Sequence, residues 1–91
     1  MNSVEIIVMR SHIEHNSNIH IPKEKWHLFP DFYTKIELNS DENAIHRIFN
    51  PKYYEFALGE WFTAYQVREG DKVRIRPIEA MKTYRVDFLK Q

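Results

Sequence analysis

Hydrophobic residues recur at every second position through much of this chain, and that rhythm predicts strands. Val4, Ile6 and Val8 share one face of a first strand, with Glu5 and Ile7 on the other. Ser11 to Asn18 is polar, carries His12, Glu14, His15, Asn16 and Asn18, and reads as a loop. Ile19-His20-Ile21 resumes the alternation as a short second strand. Pro22 suits the first position of a helix, where its missing N–H costs nothing, and Pro30 stops that helix. Over Pro22–Phe29 the helix turns Trp26 and Phe29 toward a core. Thr34 to Leu38 alternates again, the turn-forming run Asn39 to Asn43 predicts a hairpin, and Ala44 to Phe49 returns as its partner.

After Asn50-Pro51-Lys52 the pattern predicts a strand over Tyr53 to Leu58 with Tyr54, Phe56 and Leu58 on one side. Gly59 marks the switch into a second helix, where Trp61, Phe62, Ala64 and Tyr65 form an apolar face. Gly70 stands where a helix-to-strand turn requires positive φ. Val73 and Ile75 then alternate with Arg74 and Arg76, and Tyr84, Val86 and Phe88 with Arg85 and Asp87. Seven short, mostly antiparallel strands with two short helices between them predict a mainly β fold. They point to a small barrel, because closure removes exposed strand edges.

The 91 residues make one domain, 1–91, with no internal repeat and, at two glycines and four prolines, no room for a linker. A 43% hydrophobic and 29% charged composition is that of a folded chain rather than a disordered one. The absence of cysteine excludes disulfides, thiolate metal sites and a catalytic thiol, and fits a reducing compartment. The apolar run Ile6-Ile7-Val8-Met9 is too short for a signal peptide or a membrane span. An intracellular protein without a membrane partner is therefore expected.

Formal net charge is zero, whereas phosphate-binding domains are usually basic. The charge is nevertheless uneven. Residues 61–91 carry seven Lys or Arg against four Asp or Glu, 7 − 4 = +3, and residues 31–60 carry three against six, 3 − 6 = −3. A neutral sum can conceal two faces of opposite sign.

No catalytic constellation is visible: no nucleophile elbow, no phosphate-cradling glycine loop and no zinc-protease pair. Asp31, Lys35 and Glu37 are spaced as a solvated strand face. The histidines His12, His15 and His20 lie near Glu14 without the spacing of a structural zinc site, and His27 and His46 have no evident partner. Neither enzymatic activity, metal nor cofactor is expected. Trp26, Tyr54, Phe56, Trp61, Phe62 and Tyr84 fall on core positions, while Tyr53, beside Lys52 on the opposite strand face, is placed to meet a ligand. Two segments combine hydrogen-bonding side chains with positive charge: Arg10-Ser11-His12 through Asn18, His20 and Lys23, and His46 through Tyr53. Arg, Asn, His, Ser and Lys are the types that reach phosphates and base edges.

The set Ile21-Pro22-Lys23, Phe29-Pro30, Arg47 through Asn50, Tyr54-x-x-x-Leu58-Gly59, Trp61-Phe62 and Gly70-Asp71-x-Val73 resembles, in order and spacing, the plant-type B-three DNA-binding domain. It equally resembles that domain's bacterial relatives, the DNA-binding pseudobarrels of some restriction endonucleases. The resemblance runs from about Val4 to Phe88. It implies a seven-stranded, mostly antiparallel open pseudobarrel that grips the major groove of double-stranded DNA with two arms. The N-terminal arm would comprise Arg10, Ser11, His12, His15, Asn16, Asn18 and His20 with Lys23. The C-terminal arm would comprise Arg47, Asn50, Lys52 and Tyr53.

Within that scheme Arg47 and Asn50 are expected to read bases, and Arg10, Lys23 and Lys52 to contact phosphates. The N-terminal arm departs from the family in being less basic, with Glu14 and neutral histidines. If those histidines contact phosphate, binding should strengthen below about pH 6.5. The chain would serve as the recognition domain of a nuclease or as a regulator, with a monomer as the expected state. The alternative is a protein-interaction or homodimeric swapped-hairpin barrel, antitoxin-like, without DNA affinity as a monomer. In such chains the Gly-Asp turn follows the Ile-Pro-Lys helix closely, whereas here some forty residues intervene.

Overall fold

The alternating segments become strands. In a computed structural model that describes residues 2–14, 18–41 and 43–91, strands hold 47% of the described residues and make the fold mainly β. The elements in order are β1 (Val4–Ile7), α1 (Arg10–Glu14), β2 (Asn18–His20), a 3-10 helix (Lys23–Leu28), β3 (Thr34–Ser40) and β4 (Asn43–Phe49). They are followed by β5 (Glu55–Ala57), α2 (Gly59–Ala64), β6 (Lys72–Glu79) and β7 (Thr83–Leu89). Seven strands form two sheets: a five-stranded one in the order β1-β6-β7-β3-β4, and the pair β2-β5. All neighbours are antiparallel except β3 and β7.

One face of the large sheet is apolar because the period of two puts Val4, Ile36, Leu38, Val73, Ile75, Tyr84 and Val86 on the same side, each almost fully buried. The small sheet covers this face with Ile19 and Phe56, joined by Phe29 from the end of the 3-10 helix and by Trp61 and Phe62 from α2. Phe29 is the hub. Its ring stacks on Tyr84 at 4.6 Å and on Phe49 at 5.6 Å, and Tyr84 donates its hydroxyl to the Leu28 carbonyl at 2.8 Å. Burial pushes that phenol well above its ordinary pKa.

Three local expectations are revised. The segment read as a loop opens with α1, five residues long. The first helix is a 3-10 turn rather than an α-helix, with Pro22 just before it, closed by Lys25 N–H to Pro22 O (2.9 Å) and Phe29 N–H to Trp26 O (3.0 Å). The strand read over Tyr53 to Leu58 shortens to β5, because Asn50 O accepts from both Tyr53 and Tyr54 N–H (3.1 Å each) and winds residues 50–54 into a turn. Tyr54 leaves that turn at φ 47°. Gly70 does adopt positive φ, 95°.

Neither sheet closes into a barrel. β1 and β4 are the edges of the five-stranded sheet, and β4 meets β5 through one isolated bridge, Asn50 to Glu55. Pro51 offers no N–H for a further rung, and the left-handed Tyr54 turns the chain toward β2 instead. A side chain spans the gap: Arg47 of β4 donates Nε–H to the Ala57 carbonyl of β5 at 3.0 Å.

Candidate nucleic-acid interface

The N-terminal arm is built by α1 and β2. Met9 N–H donates to His12 Nδ1 at 2.8 Å, so the third helical residue reaches back to the residue before the helix, in the manner of a capping box. Accepting at Nδ1 requires a neutral imidazole. Burial, and secondarily the neighbouring His20, hold the His12 pKa below its ordinary value. Strengthened phosphate binding below pH 6.5 therefore cannot rest on His12. Arg10 projects from the first turn, highly exposed, and pairs with Glu14 at 3.0 Å. Ser11, His12, Asn18 and His20 surround a shallow hollow of about 210 Å³. His15 and Asn16 lie outside the described residues.

The C-terminal arm is the turn after β4. Asn50 Oδ1 accepts Lys52 N–H at 2.9 Å, which fixes the turn and leaves the amide NH2 of this half-exposed residue as a donor. Lys52 and Tyr53 are exposed, with Nζ 5.5 Å from the tyrosine ring centroid.

The β2–β5 ladder joins the arms. Asn18 pairs with Ala57, Ile19 with Phe56 and His20 with Glu55, and Ile21 N–H continues the ladder to Tyr54 O at 2.8 Å. His20, which borders the hollow, is followed by Ile21, whose bond to Tyr54 O brings the strand to the Asn50–Tyr54 turn. His20 Nε2 also meets Glu55 Oε2 at 2.9 Å. Below the ladder, Trp26 stacks on Tyr54 at 4.1 Å and donates its indole N–H to Ile21 O at 2.7 Å. That stack gives the arms a stiff floor.

Arg47, expected as a base reader, is engaged in the fold. Besides Ala57 O, it donates to His46 O at 2.9 Å and pairs with Glu60 on α2. Its placement is that of a lock between the two sheets and α2.

Sequence reasoning passed over a neighbouring feature. Thr34 pairs with Phe49, so the chain entering β3 runs beside the chain leaving β4. Phe32 (56% exposed), Tyr33 (69%) and Ile48 (51%) stand exposed on the segments next to this pairing, and Tyr53 is exposed on the turn that follows β4. Their sequence signal was Phe32-Tyr33 standing between Pro30 and β3, outside any alternating pattern.

Among the described residues, no three histidine, aspartate or glutamate side chains converge as a metal site requires. No helix among them is long and apolar enough to cross a membrane. Compared with protein families, curated proteins and solved structures, the chain matches none.

Proposed function

We propose that this chain is a sequence-specific double-stranded DNA-binding module, its two sheets forming an open pseudobarrel of the B-three kind that presents two arms to the major groove. One observation carries the reading: the β2–β5 ladder joins both polar arms, and four of the N-terminal arm residues surround one hollow. A short, rigid ladder holds side chains in fixed relation, as base readout needs. Asn50 and Asn18 take the base-reading role, with Arg10, Lys23 and Lys52 on phosphates and Tyr53 beside them. Arg47 acts indirectly, by fixing the arm. The module would work inside the cell as the recognition domain of a nuclease or as a regulator.

Three phosphate contacts set a low salt dependence. Fluorescence anisotropy of a labelled duplex should give a log–log salt slope of about −3, and Lys52→Ala should shallow it by about 1. A flat salt response, or a slope indifferent to Lys52→Ala, rules the reading out. The exposed large apolar side chains Phe32, Tyr33, Ile48 and Tyr53 favour a second reading, a protein-interaction or homodimeric barrel. Light scattering separates the two: a monomer fits the DNA module, an obligate dimer the interaction barrel.

A further inference from the structure

The outer face of the large sheet carries a cluster that the arms do not use. On β6 and β7, the central-side neighbours Arg74, Arg76, Arg85 and Asp87 alternate with the buried Val73, Ile75, Tyr84 and Val86, so all four point away from the core. Register sets Arg76 directly opposite Arg85 and Arg74 opposite Asp87. Like charges facing each other across a ladder are unfavourable unless something spans them. Asp87 does so in part: Oδ2 accepts from Arg76 Nη2 at 2.9 Å and Oδ1 from Arg85 Nε at 3.0 Å. Arg74 Nη2 stands 3.7 Å from the same Oδ2, and Arg85 Nη2 reaches the exposed Asp41 at 3.3 Å.

Three guanidinium groups face Asp87 and Asp41, and Glu5 of β1, set opposite Arg74, pairs with Lys72, so these groups together carry 4 − 3 = +1. The three guanidinium groups carry about fifteen N–H donors between them. Three of these make hydrogen bonds to Asp87 and Asp41. Arg74 Nε is buried and has no hydrogen-bond partner among the described residues. Buried donors of this kind are rare and call for an acceptor. Arginine forks match the geometry of phosphate oxygens, and two regular strands hold these forks in place.

We infer that Arg74, Arg76 and Arg85, spaced around Asp87, form an oxyanion site for a phosphate group. The group is supplied either by a free phosphate or by the phosphodiester backbone of a nucleic acid. Asp87 organises the three forks and competes with the ligand for them. Burial works to raise the Asp87 pKa, but the hydrogen bonds and charges of Arg85 and Arg76 outweigh it and leave the carboxyl below its ordinary range, ionised at neutral pH. The site lies on the face of the large sheet opposite the small sheet and its arms, so its failure and the failure of the arm reading are separable.

The test is NMR observation of arginine Nε–Hε signals in the whole chain, titrated with inorganic phosphate against chloride at matched ionic strength, and separately with a thymidine octanucleotide. All three cluster signals should move together and saturate. Arg76→Gln, which removes one fork from an exposed position, should weaken the response of Arg74 and Arg85 by about tenfold. Asp87→Asn, which removes the competitor, should tighten it and make thermal stability depend on phosphate. Saturation by phosphate alone identifies a free-phosphate site, and saturation by the octanucleotide identifies a backbone site; either supports the inference. Absence of movement with both ligands, or an unchanged midpoint in Arg76→Gln, overturns it.

Discussion

At the residue scale, Arg47 and Lys52 belong to one segment and carry the same charge, yet their surroundings assign them opposite tasks. Arg47 closes the gap between β4, β5 and α2 through Ala57 O, His46 O and Glu60, whereas Lys52 is exposed on the turn. Arg47→Ala should cost about 2 kcal/mol in urea unfolding, since it strands partly buried acceptors of charge-assisted hydrogen bonds. Lys52→Ala should stay within about 0.5 kcal/mol of wild type. Residue type and neighbourhood in sequence could nominate Arg47 for the site, but its role depends on Ala57 and Glu60, which only tertiary structure brings near. His12 makes a second case. Its folded pKa lies below the unfolded 6.5, so between the two values the unfolded chain binds more protons and stability rises with pH. That stability is present above about pH 6.5 and is lost as pH falls through the folded value. His12→Gln keeps a side-chain acceptor for Met9 N–H without titrating. Unfolding at about pH 7.5 and about pH 5.5 should show a smaller loss in the variant than in wild type.

Among the elements, the turn from α2 into β6 depends on Asp71. This buried carboxylate accepts Arg68 N–H and Gln91 N–H at 2.9 Å each, and those bonds hold its pKa below the ordinary range. Lys90 Nζ reaches it at 3.3 Å while donating to Tyr65 O and Gln66 O just beyond α2. Asp71→Asn should destabilise by about 1–3 kcal/mol. The depressed carboxyl contributes stability above about pH 4, lost as pH falls through its folded value, so the variant should also lose part of the acid limb of the stability profile. Gly70→Ala should cost about 1 kcal/mol or more, because φ 95° is a poor conformation for a side chain. Gly70 was legible in the sequence for that same reason. Strands β3, β6 and β7 were legible too, since each buries alternate residues and leaves a period of two. α2 was legible as well, from Gly59 and the apolar face of Trp61 and Phe62, whereas the other two short helices were not. α1 is capped by an imidazole instead of the hydroxyl or carboxyl that announces a helix start. The 3-10 turn is held between Ile21, bonded to Tyr54, and the buried Phe29, too short a span for α geometry to be fixed by pattern alone.

For the whole molecule, the expectation of closure failed on one short stretch. Alternation identifies strands and their faces but not partners, and Pro51 with the left-handed Tyr54 sends β5 to β2 rather than along β4. That same diversion joins the two arms on one ladder, so the departure from a closed barrel is also what assembles the proposed interface. The opposite charges of the two halves of the chain are partly paired on the sheet faces, as in Arg85 with Asp41, and the arms themselves hold few cations, which accords with the shallow salt slope expected of binding through them. The most direct measurement is selection of bound duplexes from a random DNA pool at low salt, with Lys52→Ala/Tyr53→Ala as the control. These two exposed arm positions can change without disturbing the core. Enrichment of a short motif by the wild-type chain, lost in a double variant that remains folded, is the expected result. No enrichment, or a motif that survives in the double variant, would contradict recognition through the arms.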